Sequence, residues 1–145
     1  PENVIVTTTG EVKLLDFGVA RHLRPATDAS HAGTTLDLTA PGAAVGTLAY
    51  MAPEQLEGRD VDHRADHFAL GLVLYEMVTG RHPFHGRTGP EVAAAILRDT
   101  PPPLSAVHPP VPVGLARVTA RCLARDPAQR YAATADLALA LDDVK

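Results

Sequence analysis

Two β-prone runs, Val4-Ile5-Val6 and Val12-Lys13-Leu14-Leu15, open the chain, separated by Thr7-Thr8-Thr9-Gly10-Glu11. β-Branched residues on either side of a polar, glycine-bearing turn predict a hairpin. From Pro25 to Val45 the chain is rich in Ala, Thr, Gly, Pro and Asp and holds no period. A stretch of that length without regular structure is expected to be functional or disordered. Helical patterns come next. From Asp66 to Thr79 apolar residues fall on every face: Phe68, Leu70, Leu72, Val73, Leu74, Tyr75, Met77 and Val78. A helix apolar nearly all round belongs at the centre of a domain, and Gly80 suits its C-terminal stop. Thr88-Gly89-Pro90-Glu91 can start the next helix, and Pro101-Pro102-Pro103 bars its continuation. Leu115, Val118 and Cys122 form the stripe of a third helix, closed by Asp126-Pro127. Thr134 is an expected N-cap of a fourth, with Leu137 and Leu141 facing inward. The predicted class is α+β, mainly α: a small hairpin and about four main helices around a buried central helix.

Composition narrows the classes. At 145 residues the chain can bury a core. Its longest strongly apolar stretch, Phe68 to Tyr75, falls short of the roughly 20 residues of a membrane span. The formal charge of −4, with lysine at Lys13 and Lys145 alone, argues against a nucleic-acid or anionic-membrane surface. One cysteine, Cys122, excludes an internal disulfide and suits a reducing, cytoplasmic compartment. It reads as a small buried hydrophobe. His63 and His67, four apart, could share a helix face as zinc ligands do. The intervening Arg64-Ala65-Asp66 lacks a metalloprotease glutamate and no third ligand is evident, so both read as surface histidines. His82 and His85, flanking Pro83-Phe84, make no better metal site.

Asp16-Phe17-Gly18 directly after the second run is weak alone, but it stands in ordered company. Pro1-Glu2-Asn3 precedes the hairpin, Gly46-Thr47 and Ala52-Pro53-Glu54 come after the loop, Asp66-His67-Phe68-Ala69-Leu70-Gly71 opens the central helix, and Arg130 comes after Asp126-Pro127. With these motifs the whole chain resembles the serine/threonine protein kinase family in its C-terminal lobe. Met51 to Gln55 and Arg121 to Arg130 look most like bacterial eukaryotic-like kinases.

The resemblance implies a kinase-like fold over residues 1–145, with an activation segment at 16–54. It implies transfer of the γ-phosphoryl group of ATP to Ser/Thr hydroxyls of protein substrates, with Mg²⁺. Asp16 would hold the metal bridging the β- and γ-phosphates and Asn3 the second magnesium, an acid and an amide oxygen suited to a hard cation. Phe17 is a packing residue that reports the active or inactive state, and Gly18 lets the backbone turn. Thr47 matches the threonine that contacts the catalytic aspartate and its nearby lysine. Thr27, Ser30, Thr34, Thr35 and Thr39 are candidate phosphoacceptors, each of which reads first as loop polarity. Glu54 and Arg130 resemble a buried structural ion pair, and Asp66 the anchor of the catalytic-loop backbone. In the family the catalytic aspartate precedes the metal-binding asparagine by five residues, and only Pro1 and Glu2 precede Asn3. The base, the N-lobe with its glycine-rich loop and its phosphate-pairing lysine are therefore expected off this chain, leaving it inactive alone. A pseudokinase or interaction lobe is the alternative, and the parent could be membrane-anchored through a segment outside these residues. The kinase reading requires Asn3 to converge with Asp16 at the open edge of the hairpin, and Glu54 to reach Arg130.

Overall fold

The computed structural model describes residues 4–14 and 48–144. The chain divides into two compact units, one carrying the hairpin and the other all the described helices. In the first, β1 (Val4–Val6) and β2 (Val12–Leu14) pair antiparallel, with Val4 opposite Leu14 and Val6 opposite Val12. The turn closes on itself: the Thr7 N–H donates to the Glu11 carbonyl at 2.8 Å, and the Glu11 N–H donates to Thr7 Oγ1 at 3.0 Å. Gly10 takes φ +83°, a left-handed conformation that other residues enter at a cost.

The second unit is built from α1 (Pro53–Leu56), α2 (Arg64–Thr79), α3 (Gly89–Arg98), α4 (Leu104–Val107), α5 (Val113–Cys122), a 3-10 turn (Pro127–Gln129) and α6 (Thr134–Asp142). The four longer helices are those the apolar pattern predicts. α2 is central, packing against α4, α5 and α6. Its Phe68, Leu72 and Tyr75 enter one core with Ala52, Phe84, Ile96 and Leu104. Its Leu70 and Leu74 pack against a second, formed by Val118, Cys122, Tyr131 and Leu137. Two cores on two sides explain an apolar pattern that runs round the helix. The encirclement is incomplete, because Met77 is 75% exposed near the C-terminal end. At Gly71 a Cβ would meet Cys122 Cβ at 2.8 Å, so the absence of a side chain is what lets α2 and α5 approach there. α2 ends at Gly80 (φ +68°), whose N–H donates to the Glu76 carbonyl.

Capping chemistry fixes the smaller elements. Thr88 Oγ1 accepts the Glu91 N–H at 3.4 Å, and Glu91 reaches back to accept the Arg87 N–H at 2.7 Å. Asp126 accepts the Ala128 N–H and starts the 3-10 turn. At α6 the structure differs from the sequence expectation. The N-cap is Ala133, and Thr134 is the first helical residue. Its hydroxyl lies 3.0 Å from His67 Nε2, so it is engaged across the helix pair and not at the helix end.

Candidate functional site

The end of the candidate activation segment is the part of the site that the described residues hold. Asn3, Asp16, Phe17, Gly18 and Thr47 lie outside them, as do Thr27, Ser30, Thr34, Thr35 and Thr39. Glu54 sits on α1, where the Gln55 side chain accepts the Ala52 N–H at 2.8 Å and sets the start of that short helix. Arg130 directly succeeds the 3-10 turn. Both are 2% exposed, and the structure brings them together. Arg130 Nη1 donates to Glu54 Oε1 at 2.6 Å and Nη2 to Oε2 at 2.9 Å.

The remaining guanidinium protons are also used. Nε donates to the Ala124 carbonyl at 2.8 Å, Nη1 to Arg64 at 2.8 Å and Nη2 to Arg125 at 3.2 Å. Five N–H donors thus meet five acceptors, the full capacity of the group. The Phe68 ring lies under the guanidinium, 4.9 Å from its centroid. Removing two charges from water costs several kcal/mol per ion, and a bidentate pair with every remaining proton satisfied is the geometry that offsets it. This pair joins α1 to the chain before α6 and to the start of α2. Its chemistry is structural.

Asp66 is exposed in the first turn of α2, with no side-chain hydrogen-bond partner among the described residues. A carboxylate at a helix N-terminus is favoured by the helix dipole. Ahead of α1, the turn Leu48–Tyr50 is tied to the region where α2 ends. The Tyr50 hydroxyl donates to Glu76 Oε2 at 2.6 Å, and His82 Nε2 lies 2.9 Å from the Ala49 carbonyl. Sequence reasoning misses both ties. In the sequence His82 invites only a metal-ligand test, and nothing in its spacing points to a backbone carbonyl 33 positions away.

The expectation for the histidine pair is corrected in part. His63 is exposed and its Nε2 lies 3.0 Å from the Ala132 carbonyl, but His67 is 2% exposed. It stands at the α2–α6 contact and its Nδ1 has no partner among the described residues. The sequence does carry a signal for this burial, because His67 neighbours Phe68 and precedes Gly71 by one turn. Among the described residues no three His, Cys, Asp or Glu side chains converge as metal ligands. Burial holds the His67 pKa below 6.5, and neighbouring His63 adds to that. The unfolded chain therefore binds a proton that the folded chain resists. The stability associated with His67 is fully present above pH 6.5 and is lost as pH falls from that value through the lowered pKa of the folded chain. His67→Leu is expected to flatten the fall in urea-unfolding free energy between pH 7.5 and 5, where one such proton contributes a slope of at most about 1.4 kcal/mol per pH unit. Equal slopes in the two proteins would remove this role. Cys122 is fully buried and its thiol is pushed up to about 11 by burial, so it packs as a hydrophobe and is not a nucleophile at neutral pH.

The protein kinase domain family matches residues 1–139. The chain belongs to the protein kinase family. The bacterial relatives it resembles carry the serine/threonine name. It is 37% identical to a probable serine/threonine-protein kinase of Corynebacterium efficiens over 98% of this chain and 21% of that protein. It is 37% identical to the serine/threonine-protein kinase PknB of Mycobacterium leprae over 94% of this chain and 21% of that protein. It is 40% identical to PknD of Mycobacterium tuberculosis over 99% and 20%. The chain thus spans about a fifth of the length of these relatives. A small antiparallel sheet with a mainly helical body is the arrangement this kinase sequence adopts in its described residues. No helix among those residues is long and apolar enough to cross a membrane.

Proposed function

We propose that the chain is the C-terminal-lobe part of an ATP-dependent protein kinase that transfers the γ-phosphoryl group to Ser/Thr hydroxyls of protein substrates in the cytoplasm. The observation that carries this reading is the buried Glu54–Arg130 pair in a chain of this family. It ties the Ala52-Pro53-Glu54 end of the 16–54 segment into the helical body, so that the segment has a rigid downstream anchor. The register of the hairpin gives further support. Val4 pairs with Leu14, and Asn3 and Asp16 stand one and two positions along the chain from these paired residues.

In this reading Asn3 and Asp16 hold Mg²⁺, through an amide oxygen and a carboxylate. That donor set fits a hard cation which takes few protein ligands and completes its shell with phosphate and water. When bound, the metal neutralises charge on the phosphates. Phe17 packs, Gly18 gives the backbone its turn, Thr47 orients the neighbourhood of the base, and Asp66 anchors the loop that carries the base. Phosphoryl transfer depends on positioning and charge stabilisation. The 145 residues hold metal ligands but no aspartate five positions before Asn3. We infer that this polypeptide by itself does not turn over.

The test compares the product of the whole reading frame with the 145-residue polypeptide, in transfer of labelled γ-phosphate to a Ser/Thr-bearing protein. The longer protein is expected to be active and the shorter silent. Asp16→Asn in the longer protein should lower the rate about 10²-fold or more, the scale of losing one charge-stabilising group. An inactive longer protein would favour an interaction lobe. Turnover by the 145 residues alone would overturn the inference about the missing base.

A further inference from the structure

Two histidines, His63 at the N-cap of α2 and His67 one turn on, hold the link that leads into α6. His63 Nε2 lies 3.0 Å from the Ala132 carbonyl oxygen, an atom that can only accept, so this nitrogen donates in the neutral and in the charged ring alike. His67 Nε2 lies 3.0 Å from Thr134 Oγ1, a hydroxyl that can accept or donate. The two rings meet edge-on, 5.3 Å apart between centroids. His67 is 2% exposed, and its buried Nδ1 has no partner among the described residues. Whichever tautomer the neutral ring adopts, a protonated ring carries an N–H on both nitrogens. The one at Nδ1 then finds no acceptor among the described residues. The sensitivity to protonation therefore lies with His67, because the bond of His63 survives it.

The surroundings weigh against a charge there. Burial is the foremost cause, and His63 and Arg130 add to it, while Asp66 and Asp62 favour the protonated ring. From α6 the contact is the neutral Thr134, and Asp136 in the same first turn is exposed. Arg121 of α5 is turned to the Tyr131 ring, 4.2 Å from its centroid. α6 is also lightly held, since Leu137 is the one buried residue among its nine. A helix with so small a share of the core opens at a lower free energy than the body it rests on.

We propose that the α2–α6 seam is an acid-sensitive latch: neutral His67 seats against Thr134 and keeps it shut, and protonation of His67 expels the ring and frees residues 132–142 while the rest of the helical unit stays folded. The sign follows from the closed seam holding the His67 pKa below 6.5, against the ordinary value of a freed ring. The latch is shut above pH 6.5 and opens as pH falls from there through the lowered pKa of the closed form. Ala132 stands two positions after Arg130, so the latch adjoins the anchor of the 16–54 segment. It does not depend on the kinase reading, and it would work in a chain that transfers no phosphoryl group.

Hydrogen exchange of the product of the whole reading frame tests it, with protection over α6 and over α3 corrected for the intrinsic exchange rate at each pH. Between about pH 7.5 and 5.5, protection of α6 should fall by up to about tenfold per pH unit once pH is below 6.5, the limit set by one linked proton. Protection of α3 should change by less than about twofold over the same range. His67→Gln, which keeps a polar group able to reach Thr134 but cannot be charged, should leave α6 protection independent of pH. His63→Gln should keep most of the dependence. Equal loss of protection in α6 and α3 of the unmutated protein would show His67 acting on global unfolding alone and would overturn the latch without any variant. A dependence that persists in His67→Gln, or that vanishes only in His63→Gln, would overturn it as well.

Discussion

Replacing Arg130 with alanine is expected to lower the unfolding free energy of the chain by about 3–5 kcal/mol, the scale found when one partner of a buried ion pair is removed. The loss arises from what stays behind. Glu54, 2% exposed, would keep a carboxylate with neither of its two arginine donors. The carbonyls of Ala124, Arg64 and Arg125 would each lose a donor as well. Glu54→Gln is expected to cost less, because three of the five arginine bonds persist and an amide oxygen can still accept one more. Urea titration of the two variants and their double mutant checks this. The double mutant should be clearly less destabilised than the sum of the two, since the uncompensated charge is then gone. A loss of under about 1 kcal/mol for Arg130→Ala, the value of an exposed pair, would contradict the buried geometry.

Phe68→Ala is expected to destabilise by a similar amount, about 3–5 kcal/mol. The ring is 1% exposed in the main core, with Phe84 stacked on one side and the Arg130 guanidinium over it. Deleting it removes the transfer free energy of the ring, leaves a cavity and takes away the surface on which the cation rests. Phe68→Leu, which refills part of the space, should recover a substantial fraction of the loss. Thermal and urea unfolding of both variants provide the check. A near-neutral Phe68→Ala would mean that the neighbouring helices close over the gap.

Some of this architecture can be read from residue types. Val4–Val6 and Val12–Leu14 around Gly10 define the hairpin because β-branched residues and a glycine at positive φ leave few alternatives. Apolar residues on several faces place α2 at the centre, and Thr88 with Glu91 marks the start of α3. The partnership of Glu54 and Arg130 is legible only through resemblance, since nothing local links a glutamate to an arginine 76 positions away. The burial of His67 escapes any judgement of the histidine pair by spacing alone. Its side chain faces α6, where Thr134 supplies a polar partner. That same contact explains why Thr134 is not the cap its sequence position suggests. The tie between His82 and Ala49 leaves no trace in the sequence, because any residue offers a carbonyl.

The length of chain enclosed by the Glu54–Arg130 pair has a consequence for assembly. Closing so large a loop brings an entropic penalty that has to be met before the contact can reward it. The other acceptors of the arginine are the carbonyls of Arg64, at the start of α2, and of Ala124 and Arg125, in the link between α5 and the 3-10 turn, so these parts must be in place before all five of its bonds can form. The pair is therefore expected among the late contacts on the folding route, which low φ-values for substitutions at Glu54 and Arg130 would show. It acts as a seal on the finished body: a nascent or clipped chain that ends before the 3-10 turn leaves Glu54 without its counter-ion, however well the earlier helices have formed.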